Sequence, residues 1–276
     1  MLMSVFKRGE KGLRLQLNYK ETWLHAINPS LKLLVMLVLF IQVLFIHNPN
    51  VLINLTFVFF LLFIAFTGYP FKSLMLFLLP FFIIFISTAS SMILFGKGET
   101  TWFKWGLVHI TEESFFRGVH LGFRALIFAF LGIIFSLTTR PVYLFYSLMQ
   151  QLKLKPKYAY SFLAAVRLIP IMLEEFQTIH QAMKVRGVEG TKGIRGMFEK
   201  LKRYAIPLLS QSIRRAQRIA VAMEAKRFSN EAKRTFYYEM KFSKYDAIFV
   251  TSIFVLCILA YYVSTYYPYF LITDVR

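Results

Sequence analysis

Five stretches of the chain are apolar enough, over enough residues, to be read as membrane crossings, and no other feature restricts the fold so strongly. Leu31 to Ile46 has one polar interruption, Gln42. At about 1.5 Å per helical residue it reaches about 24 Å, short of a full crossing unless its flanks help. Lys32 at its start is expected to snorkel toward the headgroups. His47-Asn48-Pro49-Asn50 reads as a tight turn, and a second run follows from Val51 to Thr67. Gly68-Tyr69-Pro70 breaks it before a third run, Phe71 to Phe95, with Pro80 inside, where a kink is expected. A fourth run covers about Leu121 to Thr138, and a fifth begins near Tyr245 and ends about Tyr267, with Asp246 at its near end. The expected fold class is all-α: a polytopic membrane protein of about five transmembrane helices, with a further module of amphipathic helices.

Composition agrees with this reading and adds an orientation. Of 276 residues 57% are hydrophobic, well above the usage of soluble domains, yet 33 Lys and Arg face only 14 Asp and Glu, a net charge of +19. The charge is not spread evenly. Lys7, Arg8, Lys11, Arg14 and Lys20 precede the first run, the turn at 47–50 has no formal charge, and Arg140 to Lys244 holds 21 bases against 7 Glu. Basic loops stay on the cytoplasmic side, so the N-terminus and the 140–244 block are expected inside, and the tail ending in Arg276 outside. The first apolar run begins after 30 polar and mixed residues and leads straight into others, so no cleavable signal is expected. Four segments follow: 1–30, a cytoplasmic N-terminal segment; 31–138, four spans; 139–244, a cytoplasmic helical module; and 245–276, the last span with a short outer tail.

Within the basic block, Phe162, Ala165, Val166, Ile169, Met172, Leu173, Phe176 and Ile179 recur at helical spacing, with Gly187, Gly190, Gly193 and Gly196 following as breakers. A second helix is read from Met197 to about Phe228. Pro170 and Pro207 predict that each helix is bent or restarted. Amphipathic helices of this kind can simply rest on anionic lipid. One feature goes further: Ala182-Met183-Lys184-Val185-Arg186-Gly187 is echoed forty residues later by Ala222-Met223-Glu224-Ala225-Lys226-Arg227, and Gln177 and Ile179 are echoed by Gln217 and Ile219. A repeated helix end with a small residue and then a base suits two equivalent docking elements, each offering cationic donors to a carboxylate or carbonyl on a partner.

At these residues the sequence resembles the transmembrane T component of energy-coupling factor (ECF) transporters, a family that takes in the permease subunit of cobalt transporters. Members carry two Ala-Arg-Gly motifs at the ends of coupling helices. Here the first reads Val185-Arg186-Gly187, and the second reads Ala225-Lys226-Arg227, which leaves open whether Lys226 or Arg227, about 100° further round a helix, makes the contact. The stretch from His25 to Lys32 also resembles the family's His-x-x-Asp-Pro-x-x-Lys lead-in to the first span, formed by His25, Asn28, Pro29 and Lys32 with Asn28 in place of Asp. The resemblance implies a multi-pass protein of a bacterial or archaeal cell membrane. Its partners would be two ABC-type ATPase subunits and a small substrate-binding membrane subunit within the lipid bilayer, with no nucleic acid. It implies uptake of a vitamin, thiamine or its pyrimidine precursor among the candidates, with cobalt or nickel as the alternative cargo.

Other chemistries find little footing. Gly96-Lys97-Gly98 and Gly190-Thr191-Lys192-Gly193 lack the spacing of a phosphate-binding loop, so ATP and Mg2+ are expected in the partner ATPases and no cofactor on this chain. The five histidines are scattered without an H-E-x-x-H, and His109 with Glu112 is read as polar loop surface rather than a metal site. Glu174 and Glu175 are adjacent, so they diverge on a helix and are read as solvated or ion-paired. Cys257 is the single cysteine and lies in an apolar run, which leaves no intramolecular disulfide. The reading is therefore not an enzyme; the alternative, a membrane-embedded enzyme gripping an anionic lipid through its bases, lacks a nucleophile constellation.

Overall fold

The structure is a computed structural model that describes residues 20–96, 98, 100–105, 108–187, 194–229 and 235–270. The bases at 7–14, and Gly190 and Gly193, lie outside the described residues. The chain divides into two compact units, one formed by 17–152 with 238–276 and the other by 153–237 with 1–16.

The first unit is the membrane bundle. A short helix α1 (Trp23–Ala26) precedes α2 (Pro29–Phe45), α3 (Pro49–Phe66) and α4 (Phe71–Phe95); then come a hairpin of β1 (Thr101–Trp105) and β2 (Val108–Thr111), α5 (Glu112–Thr138), α6 (Pro141–Gln151) and, from the end of the chain, α9 (Lys244–Tyr266). Two of these helices start by the same local rule. Asn28 and Asn48 cap α2 and α3, accepting from the N–H of Ser30 and Asn50, and Pro29 and Pro49 sit at the first helical position, where the missing donor costs nothing.

Four helices, α3, α4, α5 and α9, are long and apolar enough to cross a membrane, and α2 is a shorter apolar helix. This is a multi-pass membrane protein. The five apolar runs read from the sequence coincide with α2, α3, α4, α5 and α9, with one displaced boundary: α5 begins at Glu112, not near Leu121. Arg117, His120 and Arg124 dilute its first turns, but Thr111 and Ser114 form a reciprocal capping box that starts the helix there. The segment around His109, read as loop from the sequence, is instead the antiparallel hairpin, pairing Thr101 with Thr111 and Trp105 with Val108, followed by this helix start. The helix α4 runs through Pro80 without a break.

Helix α5 is the hub, packed against α2, α3 and α4, while α9 packs on α3. Half of its most apolar window is buried, against 6% for α4, so α5 builds the core and α4 turns most of its surface outward. The core joins Val43, Leu52, Phe59, Phe63, Ile127, Phe130, Phe249 and Ile253. At the contact with α4, a Cβ on Gly118 would lie 2.5 Å from Cγ1 of Ile93 and 2.9 Å from the Ala89 carbonyl oxygen; one on Gly122 would lie 2.8 Å from Cε2 of Phe85. The spacing Gly118-x-x-x-Gly122 therefore lets two backbones approach as closely as membrane helices do.

The second unit contains α7 (Pro156–Val185) and α8 (Ile194–Ala225). Both continue through their prolines, Pro170 and Pro207, so neither helix restarts. Gly196 is not a breaker but lies in the first turn of α8, which ends at Ala225 rather than near Phe228. The short helix α6 falls in the membrane unit rather than with α7 and α8.

Candidate functional site

The two repeated segments close α7 and α8 with the same backbone turn. Val185 is the last residue of α7; Arg186 is its C-cap, donating to the Ala182 carbonyl at 3.1 Å, and Gly187 follows with φ +63°, donating to the Lys184 carbonyl at 3.2 Å. Forty residues on, Ala225 is the last residue of α8. Lys226 donates to the Ala222 carbonyl at 3.2 Å, Arg227 has φ +53° and donates to the Glu224 carbonyl at 2.8 Å, and Phe228 donates to the Met223 carbonyl at 2.9 Å. These are the bonds of a helix closed by one left-handed residue. The register is unambiguous: Lys226 stands where Arg186 stands, and Arg227 occupies the place of Gly187. Arg186, Gly187, Lys226 and Arg227 are all exposed, as is Val185 at 88%. A left-handed conformation costs an L-residue about 1 kcal/mol that glycine does not incur, so the second end is built less cheaply than the first.

The helices hold these ends through a packed crossing. Glu175 of α7 forms an ion pair with Arg215 of α8. Phe176 meets Tyr204 with ring centroids 4.9 Å apart, and Nδ1 of His180 is hydrogen-bonded to the Tyr204 hydroxyl at 2.8 Å. The ring of Tyr160, near the start of α7, lies edge-on to Phe228 at 5.7 Å. Early residues of one helix thus meet late residues of the other, so the two run in opposing senses past each other and their basic ends lead away on opposite sides. Glu175 is ion-paired, as its sequence environment suggests. Large apolar side chains also stay exposed on both helices, among them Phe162, Ile169, Leu173, Leu201, Leu209 and Ile213.

The lead-in motif does different work. Lys32 does not snorkel: it is 1% exposed, and Nζ donates to the Leu24 carbonyl at 2.6 Å, the Thr138 carbonyl at 3.2 Å and Oγ1 of Thr138 at 3.1 Å. All three ammonium donors are used. Its position one turn into α2 points it into the bundle end, where the last residue of α5 offers a carbonyl at a helix C-terminus, an attractive site for a cation. The charge that balances it is Asp246, in the first turn of α9, itself 3% exposed. Asp246 accepts from the Asn28 N–H at 2.7 Å and the Ser243 N–H at 2.8 Å, so one carboxylate both caps α9 and ties it to the start of α2. Asn28 Oδ1 accepts from the Ser30 N–H at 3.2 Å and the Ser147 hydroxyl at 2.6 Å, and the Ser30 hydroxyl reaches Gln151. Its Nδ2 is buried and has no partner among the described residues, a donor that an aspartate at this position would not carry.

His25 belongs to the same end. Its Nδ1 accepts from the Thr22 N–H at 3.2 Å, which requires the neutral ring. Burial, then the charge of Lys32, holds its pKa below the usual value, with Arg140 acting in the same direction and Glu21 opposing. It lines a cavity of about 260 Å³ with Thr22, Pro29, Thr138, Arg140 and Tyr143. His25, Asn28, Pro29 and Lys32 therefore form a lock that joins α1, α2, α5, α6 and α9 at one end of the bundle.

Sequence reasoning missed the partners of that lock, since Ser147, Gln151 and Asp246 carry no local motif. It also missed a polar pair within α5, where a guanidinium nitrogen of Arg124 donates to the Ile46 carbonyl at 2.9 Å beside Nε2 of His120 at 3.1 Å, closing the C-terminal end of α2. The reading of His109 with Glu112 falls on a side chain, that of His109, outside those described. 

Comparison with known proteins bears on both features. The model of a family described as cobalt transport protein, CbiQ, matches residues 20–238. Among similar proteins are transmembrane proteins of energy-coupling factor transporters, EcfT, from Brevibacillus brevis (30% identical over 240 residues, 83% of this chain and 89% of the relative), Listeria innocua (27% over 248 residues, 86% and 92%) and Macrococcus caseolyticus (24% over 255 residues, 88% and 95%). These relatives are named as membrane components of transporters, not as enzymes. The match takes in the lock at 25–32 and both basic helix ends, and the chain belongs to the CbiQ/EcfT family, as a transmembrane energy-coupling component of ECF transporters.

Proposed function

We propose that the ends of α7 and α8 are the two points at which this chain engages a pair of ABC-type ATPase subunits, Arg186 serving the first and Lys226 the second. The observation that carries the reading is that the two ends share one backbone turn, with a base at the same position in each. Closure of the ATPase pair would draw the two ends together and move α7 and α8 about their crossing. ATP can drive this only if the ends bind the open and closed ATPase states with different affinity. ATP and Mg2+ reside in the ATPases, and the N-terminus and the basic block lie on their side of the membrane, the cytoplasmic one, as loop charge favours.

The exposed apolar residues along α7 and α8 support a further contact with a small substrate-binding membrane subunit, because large apolar side chains left exposed along two helices suit a docking surface. The cargo is set by that subunit. As the sequence resemblance implies, that cargo is a vitamin, thiamine or its pyrimidine precursor among the candidates; the family description names cobalt, and cobalt or nickel is the alternative.

Crosslinking tests the docking. With Cys257→Ser as background, cysteines at Lys184 and Glu224, two residues before each base, should each crosslink to an ATPase subunit in native membranes. Crosslinks to lipid-exposed proteins only, or none from either position, would remove the assignment. Uptake of labelled thiamine against labelled Co2+ by the reconstituted complex decides the cargo.

A further inference from the structure

We propose that Arg227 is a second cationic contact at the docking end led by Lys226, one that the first end lacks, and that the receptor for this end presents a carboxylate of its own to Arg227. The proposal rests on the docking reading above and assigns a specificity-determining residue within it. At both ends the residue after the C-cap takes the left-handed conformation; Gly187 adopts it at φ +63° with open space around it among the described residues, whereas its counterpart is an arginine at φ +53°. Glycine is the residue that this position accepts without steric cost.

The fold does not demand the arginine. Its turn is already closed by the Phe228 N–H on the Met223 carbonyl and by Phe228 against Tyr160, and the Arg227 side chain is exposed, with no ion pair among the described residues. Attraction to the C-terminal end of the helix makes a base tolerable here, and Lys153 adopts the same conformation after α6. That attraction acts equally at the end of α7, where the residue is glycine, so it does not account for the difference between the two members of the repeat. A residue held in a costly backbone conformation points to a function realised in a complex.

Chemistry supplies that function. Lys226 is a point charge without the planar donor fork that Arg186 offers at the matching position. Arg227 returns a guanidinium to the second end, from the neighbouring position and along a different direction, so the pair reaches two anionic groups where Arg186 reaches one. The first end, an arginine followed by glycine, fits a receptor approached closely by backbone; the second, lysine followed by arginine, fits a wider and more acidic one.

The test uses the full complex purified with its ATPase subunits, reading ATPase retention over a salt series and the thermal midpoint of the complex. Arg227→Gly removes the charge and relaxes the backbone, Arg227→Gln removes the charge alone, and Arg227→Lys keeps it. The expected result is that Arg227→Gly keeps or raises the midpoint while retention weakens about tenfold, the scale of one charge-assisted hydrogen bond, that Arg227→Gln weakens it equally, and that Arg227→Lys, which keeps the charge without the planar fork, falls between Arg227→Gln and the wild type. Retention unchanged in Arg227→Gly across the salt series, with loss in Arg186→Ala, overturns the role of Arg227 and leaves the docking reading standing. Retention unchanged in both variants overturns the two together.

Discussion

Glu175 and Arg215 are equivalent positions of the forty-residue repeat, and they form an ion pair with each other where α7 and α8 cross. The two copies thus meet through the same position, and each basic end lies about 16 Å along its helix from that point at 1.5 Å per residue. On the proposed coupling, the pair would sit at the pivot of the motion of α7 against α8. Both side chains are half-buried, and a single ion pair between two helix surfaces contributes only about 1 kcal/mol, so the larger effect of its removal is on geometry. Arg215→Glu should lower substrate transported per ATP hydrolysed roughly twofold to fivefold with insertion intact, and Glu175→Arg added to it should restore most of the loss. A double variant no better than the single one would show that the pair does not set the crossing.

Lys32 and Asp246 set the stability of the bundle end. Lys32→Met keeps the length of the side chain but leaves the Leu24 and Thr138 carbonyls without their donor and Asp246 without its balancing charge. Leaving a buried charge without its compensating charge costs about 3–5 kcal/mol. Thermal unfolding in mild detergent should show a large loss for Lys32→Met and for Asp246→Asn, and a loss in the double variant well below their sum. Strict additivity would mean that the two residues act independently.

The neutral His25 gives that end a pH dependence. Its pKa is lower folded than unfolded, so the unfolded chain binds the extra proton more readily. Stability from this group is complete above the ordinary histidine value near 6.5 and declines as the pH falls below it toward the folded value. The midpoint of unfolding should drop on acidification from pH 7.5 to 5.5 in the wild type, and the drop should shrink in His25→Gln. Parallel curves for the two proteins would remove His25 from the account.

The contact between α4 and α5 depends on Gly118. Its missing Cβ leaves the Ala89 carbonyl no room to be displaced by a side chain, so Gly118→Val should cost about 1–3 kcal/mol, the usual range for overpacking, and expose α4 to proteolysis. Since α4 buries little else of itself, cleavage there should outpace cleavage in α3. An unchanged digestion pattern would mean that α4 is held by other contacts.

The crossings are legible in the sequence because a helix in lipid must be apolar over its whole length, and this shows in one-dimensional composition. The start of α5 is hidden for the same reason: Arg117, His120 and Arg124 lower the local average although they head a helix. Lys32 shows how far local reading goes. A lysine at the start of an apolar run ordinarily snorkels, and only the return of Thr138 and Asp246 to its side, from distant parts of the chain, turns it inward. The repeat makes the paired ends visible, but whether Lys226 or Arg227 matches Arg186 is a question about backbone dihedrals. The φ of +53° at Arg227 answers it.

The central claim is that α7 and α8 end in two docking points, and charge reversal tests it most directly. The tagged chain is purified in mild detergent from its native membranes, as wild type and with Arg186→Glu and Lys226→Glu combined, and its partners are identified by mass spectrometry. The account predicts ATPase subunits and a small apolar membrane protein with the wild type, and loss of the ATPases alone in the double variant. Retention of the ATPases by the double variant at wild-type levels would contradict it.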